Sequence, residues 1–336
     1  MSDSAPRGRF VWHELLTTDT KSAAEFYSKI VGWKKKPWSE DRSYTLMLMG
    51  SSQMAGLMAN PAPGAPPSWL TYIGTPSVDE TVKQATSLGA KVHTPATDIP
   101  TIGRFAILED PQGAVFAVFT PLPGQPAPPD AAASLGDFSW HELATTDWRA
   151  SLTFYQRLFG WDETSAMDMG PGMGTYQMFG WKGRTVGGVF NKPAQMPGPP
   201  TWLPYIRITD AKRIAQTIKR LGGQVINGPM EVPGGDWITQ GVDLQGAMFA
   251  VHAVAAAAAP ASKTTAAPPK RAAKPVVKPA AKKLAARTGA KGRKAAVPPK
   301  AKGKVALKKK KASAKRVAPR KRVAPTKRKV AKKRSR

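Results

Sequence analysis

The chain repeats itself, and that constrains its fold more than any other feature. FVWHELLTTDTKSAAEFYSKIVGW, from Phe10 to Trp33, returns as FSWHELATTDWRASLTFYQRLFGW, from Phe138 to Trp161, at a constant offset of 128 residues. The match continues through Tyr44 and Tyr176, Gly56 and Gly188, Trp69 and Trp202, and Tyr72 and Tyr205. It closes with DPQGAVFAV from Asp110 against DLQGAMFAV from Asp243. Copies of about 115 residues are whole domains, too long for solenoid units. The expected division is a first domain over 8–120, a Pro/Ala-rich linker over 121–135, a second domain over 136–253 and a tail over 254–336.

Each copy has the pattern strand, helix, strands, and then the same again. Residues 10–17 have strand composition. Asp19 is placed to cap a helix whose apolar positions Ala23, Phe26, Ile30 and Val31 recur at helical spacing, with Gly32 to end it. SYTLMLMG and the stretch from Gln53 to Met58 read as a strand pair, and a Pro-rich crossing leads to a further strand near Trp69 or Trp202. In the second helix Ser77 and Glu80 are spaced as a capping box, and Ala211, Ile214, Ala215 and Ile218 form the apolar stripe of its counterpart. Two strands joined by the Asp-x-Gln-Gly turn close each copy. The order βαβββ is therefore expected four times.

A first strand ending in Thr-Thr-Asp, a helix carrying Phe-Tyr and ending in Gly-Trp, a second helix ending in Leu-Gly, and a closing Asp-Pro-x-Gly strand together resemble the vicinal oxygen chelate superfamily. Glyoxalase I, bleomycin-resistance proteins and extradiol dioxygenases belong to it. The resemblance covers residues 8 to 253, with Leu244 in the second copy where the first has Pro111. It implies an α+β fold of two tandem glyoxalase-like domains, each made of two βαβββ modules that curl into a cup. It also implies, in metal-dependent members, His and Glu ligands on the first, fourth, fifth and eighth strands. At the matching positions this chain has Trp12 and Trp140, Thr71 and Pro204, and Ala117 and Ala250. None of these is a usual ligand, and a divalent site needs three or four. No cofactor is expected, with a divalent metal as the disfavoured alternative. His13 and His141 become ligands only if a bulge in the first strand turns them inward; otherwise they point away from the cup.

On that register Glu14 and Glu142 project into aromatic pockets. Desolvation there raises a carboxyl pKa, suiting it to act as a general base or to grip a ligand hydroxyl or amine; the alternative is a structural carboxylate. His252 shares strand parity with Ala250, so a Glu142–His252 pair is expected in the second cup alone, Phe119 occupying the matching place in the first. Trp12, Tyr44, Trp69 and Tyr72, with Trp140, Tyr176, Trp202 and Tyr205, are the candidate stacking surface for a flat organic ligand. Gly170 to Gly174 lacks the lysine and helix of a phosphate loop, and no nucleophile-elbow pattern occurs, so neither a nucleotide site nor a serine hydrolase is expected.

Composition matters chiefly because it is uneven. The chain has 51 basic and 22 acidic residues and no cysteine, which excludes disulfides, thiolate metal sites and cysteine nucleophiles. All 22 acidic residues lie before residue 254, while the last stretch, rich in Ala, Pro, Lys, Arg and Val, holds no acid and no aromatic residue. Such a segment cannot offset its ordering entropy by burial and is expected to be disordered when free. Its composition resembles that of linker-histone tails. The densest basic clusters are Lys308, Lys309, Lys310 and Lys311; Arg320, Lys321 and Arg322; and Lys327, Arg328 and Lys329. They are candidate contacts to nucleic acid, tight at low salt and nearly blind to sequence. A membrane partner is not expected, since the tail lacks amphipathic anchoring. MSDSAPRGRF lacks the apolar core of a secretory signal, so a cytoplasmic and nucleoid-associated location is expected.

The sequence thus points to a protein that binds a small organic ligand in its cups without the usual metal and nucleic acid through its tail; the alternatives are a metal-dependent glyoxalase or dioxygenase-type enzyme and a nucleoid-associated protein whose folded part is a scaffold.

Overall fold

A computed structural model describes residues 7–62, 64–124 and 132–255. The first copy contains β1 (Phe10–Thr17), α1 (Thr20–Val31), β2 (Lys34–Pro37), β3 (Thr45–Met49), β4 (Ser52–Ala59), β5 (Ser68–Gly74), α2 (Val78–Ser87), β6 (Lys91–Ile99), β7 (Gly103–Glu109) and β8 (Val115–Pro121). The second contains β9 (Phe138–Thr145), α3 (Trp148–Phe159), β10 (Asp162–Asp168), β11 (Thr175–Trp181), β12 (Arg184–Asn191), β13 (Thr201–Arg207), α4 (Ala211–Arg220), β14 (Gln224–Glu231), β15 (Trp237–Val242) and β16 (Met248–Ala253). The four βαβββ modules are thus present.

Local chemistry sets the helix ends. Asp19 accepts from the backbone N–H of Ser22, and Gly32 closes α1 in the left-handed region at φ 90°. Asp147 and Gly160 do the same for α3. Ser77 caps α2 through the N–H of Glu80, and Asp210 caps α4 through that of Arg213. Caps of this kind contribute about 1 kcal/mol each.

Each copy forms one eight-stranded sheet, in the order β2-β3-β4-β1-β5-β8-β7-β6 and β10-β11-β12-β9-β13-β16-β15-β14. The modules of one copy meet at an antiparallel seam, β1 with β5 and β9 with β13. The short strand β2, KKKP, is exposed along its length and its charges guard an open sheet edge. No helix among the described residues is long and apolar enough to cross a membrane.

The hydrophobic cores do not follow the repeat boundary. One core joins the second module of the first copy (Ile73, Val78, Leu108, Phe116) to the first module of the second (Leu152, Tyr155, Phe159, Trp161). The other joins the first module of the first copy (Leu15, Phe26, Tyr27, Trp33) to the last module of the second (Ile214, Ile218, Phe249, Val251). Hence the two expected domains form one compact unit over Met1–Thr264. A helix laid on one face of a single sheet leaves its outer side uncovered, and here the other copy covers it.

Polar contacts across this junction are reciprocal. Tyr27 donates its hydroxyl to Asp243 Oδ2 at 3.1 Å and accepts from Trp69 Nε1 at 3.0 Å. Tyr155 donates to Asp110 Oδ2 at 3.0 Å and accepts from Trp202 Nε1 at 3.0 Å. Each aspartate also takes two backbone N–H groups of its own turn, through Gln112 and Ala114 or through Gln245 and Ala247. The Phe-Tyr of one copy's helix thus serves the Asp-x-Gln-Gly turn of the other. Trp69 and Trp202, expected to line the cups, lie in these cores, on the opposite face of their sheets. Strand alternation explains the correction: Leu70 and Tyr72, or Leu203 and Tyr205, face the cup, and the residues between them do not.

Candidate functional site

The first-strand register decides which side chains enter the cups. Both first strands carry a bulge, between Phe10 and Trp12 and between Phe138 and Trp140. It falls one step ahead of the place that would turn the histidines inward. Trp12 and Glu14 therefore face the cup, while His13 and His141 lie 5 % exposed at the junction of the two copies. There His13 Nε2 and His141 Nε2 are 2.9 Å apart. Phe10 stacks on His141 with ring centroids 3.5 Å apart, and Phe138 stacks on His13 at 3.7 Å. His141 Nδ1 lies 3.3 Å from the Val186 carbonyl oxygen, which can only accept, so Nδ1 carries the proton. The remaining bond then runs from His13 Nε2–H to the bare His141 Nε2. Burial holds both imidazoles neutral, pushing His141 down to about 3 and His13 well below its ordinary value.

In the first cup Glu14 is 7 % exposed and accepts from the Tyr72 hydroxyl at 2.9 Å. The Trp12 indole N–H donates to the Tyr44 oxygen at 3.0 Å, which leaves the Tyr44 hydrogen for Glu14. Burial raises the Glu14 carboxyl, and the two tyrosine bonds oppose that rise. The Tyr44 ring can approach only because position 56 is glycine: a Cβ there would sit 1.8 Å from the phenol oxygen.

The second cup repeats this arrangement with one addition. Trp140 Nε1 donates to Tyr176 at 2.9 Å, and Tyr176 donates to Glu142 Oε2 at 3.1 Å. Tyr205 also bonds the carboxylate. Gly188 makes room for Tyr176, as a Cβ would lie 2.0 Å from its ring. Gln240 then donates to Glu142 Oε1 at 3.1 Å and contacts the Tyr205 hydroxyl at 2.6 Å. Burial pushes the Glu142 carboxyl up to about 6 against these donors, and the residue as a whole is somewhat more exposed than Glu14. Around the second cup stand Met167, Met169, Met173, Met178 and Met196, packed with Trp140, Tyr176 and Phe190. Thioether side chains of this sort form an adaptable apolar wall.

The expected Glu142–His252 pair does not form. Gln240, opposite Ala250, occupies the place beside the carboxylate. His252 lies farther along β16, between Ser139 Oγ at 2.9 Å from its Nδ1 and Asp236 Oδ2 at 2.8 Å from its Nε2. Sequence reasoning missed Gln240, whose only signal was its strand parity. It also missed the meeting of His13 with His141, which equal positions in two copies around a shared axis could have suggested. Of the eight aromatic candidates, Trp12, Tyr44 and Tyr72, with Trp140, Tyr176 and Tyr205, surround the glutamates.

The fold family implies a divalent metal, and the donor set of these cups does not fit one. Each offers a single carboxylate among indole, phenol and methyl groups, with Trp12, Tyr72 and Ala117 or Trp140, Tyr205 and Ala250 on the inner face. Among the described residues no three His, Asp or Glu side chains gather to hold an ion. A separate groove of about 400 Å³ opens beside α2, lined by Asp79, Asp98 and Arg104. Its arginine is clamped by both aspartates, at 2.8 Å and 2.7 Å, and has no charge left for an anion. Lys308 to Lys311, Arg320 to Arg322 and Lys327 to Lys329 lie outside the described residues.

The chain matches the model of the Glyoxalase/Bleomycin resistance protein/Dioxygenase superfamily over residues 9–118 and again over 137–251. CFP32 of Mycobacterium tuberculosis, described as a candidate glyoxylase, is 32% identical over 251 residues, covering 71% of this chain and 92% of its own. The anthracycline biosynthesis protein DnrV of Streptomyces peucetius is 26% identical, covering 70% and 89%. Among solved structures, the Mn(II)-bound glyoxalase of Novosphingobium aromaticivorans superposes with a TM-score of 0.51 at 14% identity, over 74% of this chain and 83% of that one. A variant of homoprotocatechuate 2,3-dioxygenase from Brevibacterium fuscum gives 0.55 at 15% identity, over 76% and 74%. At such identities the structures speak for the fold alone.

Proposed function

Since the chain belongs to the Glyoxalase/Bleomycin resistance protein/Dioxygenase superfamily, we propose that its second cup binds a small, flat organic ligand without the usual metal and directs a ligand hydroxyl at Glu142. Membership is compatible with an enzyme of glyoxalase or dioxygenase type. One observation carries the metal-free reading: Glu142 is raised to about 6 yet partly exposed, held by two tyrosines and an amide in an aromatic and methionine-lined hollow. A carboxylate so placed titrates near neutrality, accepts a hydrogen bond from a phenol or enol, and can take its proton. Trp140 and Tyr176 supply the stacking face. Relatives named for anthracycline biosynthesis make a planar polycyclic phenol the first ligand to try.

The test is a titration of the full chain with a fluorescent anthracycline, read by quenching of tryptophan emission and by calorimetry. Saturable binding that weakens at least about tenfold in Trp140→Ala is expected, the loss of one aromatic contact and its buried area. Unchanged affinity in that variant would sink the aromatic pocket, and elemental analysis of the same sample reads the metal content directly.

The tail supports a second, separable activity. With 30 basic residues, no acid and no aromatic residue after position 253, we propose that it binds nucleic acid through phosphates without reading sequence. The expected signature is equal affinity for two unrelated duplexes and a log–log salt slope of roughly −0.9 per phosphate contacted.

A further inference from the structure

The second copy contains a hydrogen-bonded Ser–His–Asp row that neither the repeat nor the superfamily match accounts for. Ser139 sits in the first-strand bulge, opposite the step between Tyr205 and Ile206. Its Oγ lies 2.9 Å from His252 Nδ1, and His252 Nε2 lies 2.8 Å from Asp236 Oδ2. The polarity of the row follows from donor chemistry. Asp236, held below the usual carboxylate range by the backbone N–H of Ala255 and by His252, can only accept. A neutral His252 therefore carries its proton on Nε2 and presents a bare Nδ1 as acceptor for the Ser139 hydroxyl at 2.9 Å, nearer than the competing Tyr205 carbonyl oxygen at 3.4 Å. This is the serine, base and orienting carboxylate order of a nucleophilic triad, with the two ring nitrogens exchanged.

The row is not needed to build the bulge. The first copy makes the same bulge with Val11 in place of Ser139, Phe119 in place of His252 and Gly103 in place of Asp236. There the Phe119 ring fills the space over Gly103, a Cβ at that glycine falling 2.7 Å from the ring. All three polar residues are thus replaced together by apolar ones in a sheet of the same topology. The row is also open to reagents: Ser139 is partly exposed, and the His252 and Asp236 side chains are 16% and 29% exposed. By strand parity with Ala250, and opposite Ile238, His252 stands on the cup face.

We propose that Ser139 is an activated nucleophile that accepts an acyl or phosphonyl group from an activated ester or fluorophosphonate. Ser139 Oγ attacks the carbonyl carbon while His252 Nδ1 takes its proton. The ester C–O bond breaks, and the leaving oxygen receives that proton from His252. A water molecule, deprotonated by His252 in turn, then attacks the acyl-serine; the bond between acyl carbon and Ser139 Oγ breaks, Oγ takes the proton back from His252, and the acid is released. With a fluorophosphonate the P–F bond breaks instead, fluoride leaves, and the phosphonyl group stays on Ser139. Asp236 is a positioning residue that fixes the tautomer.

The full chain is treated with a fluorophosphonate and digested for mass spectrometry, and its reaction with 4-nitrophenyl acetate is followed by nitrophenolate release. One adduct, on Ser139, is expected, lost in Ser139→Val, a residue this fold already accommodates at the equivalent place. His252→Phe, likewise borrowed from the first copy, should slow both reactions about 100-fold or more, the usual size of a general-base contribution. Asp236→Asn should move the His252 proton from Nε2 to Nδ1 in a long-range ¹H–¹⁵N spectrum and slow acylation, with an unchanged melting midpoint. No adduct in the folded chain, an adduct on another serine, or an undiminished rate in His252→Phe would overturn the proposal.

Discussion

The first and second cups share a tryptophan, a tyrosine over a glycine, a second tyrosine and a glutamate, each in the same place. They differ in what closes over the carboxylate. In the first, Ile107 stands across from Ala117 and Glu14 is 7 % exposed. In the second, Gln240 stands across from Ala250 and donates to the carboxylate, and the Glu142 residue is half-buried. Tyrosines are the only partners of the first carboxylate, whereas the second also has an amide partner. On the proposed function the same framework houses a structural acid and a ligand-facing one, and the distinction rests on one strand position.

The largest expected effect on this contrast comes from the glycines. Gly188→Ala places a methyl group inside the Tyr176 ring and should abolish ligand binding, with destabilisation of about 1–3 kcal/mol from overpacking. Gly56→Ala should destabilise by a similar amount and leave binding intact. Calorimetric melting and the ligand titration together distinguish the two. Next in size, Glu142→Gln should weaken binding by about 10-fold to 100-fold, the range for a hydrogen bond to a charged group. Glu14→Gln should change it less than about twofold; equal losses from both would erase the difference between the cups.

The pH dependence gives a finer test. Glu142 is charged above about 6, so affinity for a donor ligand should be full at pH 7.5 and fall as pH drops through that value. Gln240→Ile, which installs the first cup's residue, removes a donor that favours the charged form. It should move that midpoint upward and cost about fivefold to tenfold in affinity at neutral pH. A midpoint that moves down would contradict the role assigned to Gln240. The smallest effect expected is none: the ¹⁵N shifts of His13 and His141 should stay those of neutral rings from pH 8 to pH 5, since their burial opposes a charge in either copy.

The parts legible in the sequence were those with local or periodic causes. Asp19 and Gly32 bound α1 because capping is a matter of a few neighbouring residues. Trp12 and Glu14 share the cup because alternation along one strand needs no tertiary information. Trp69 and Trp202 were misplaced because an aromatic at strand spacing suits either face, and only the seam with β1 or β9 determines which is which. The Gln240 contact and the Ser139 row join residues about a hundred positions apart, brought together by strand order and by a bulge. No pattern within a short window encodes such meetings.

The exchange of cores between the copies has a further consequence. Each helix lies on the sheet of its own repeat and has its outer side covered by the other repeat, so the chain is built like a dimer whose two subunits are written in one reading frame. Cutting within residues 121–135 should leave two fragments that still hold each other, and neither half alone owns a complete interior. A dimer encoded once must keep its two pockets identical; one encoded twice need not. The back faces stay bound to each other through Tyr27 with Asp243 and Tyr155 with Asp110, and a change on one side must be answered on the other. The cup faces carry no such obligation. With that freedom, one carries Gln240, Ser139 and His252 where the other carries Ile107, Val11 and Phe119.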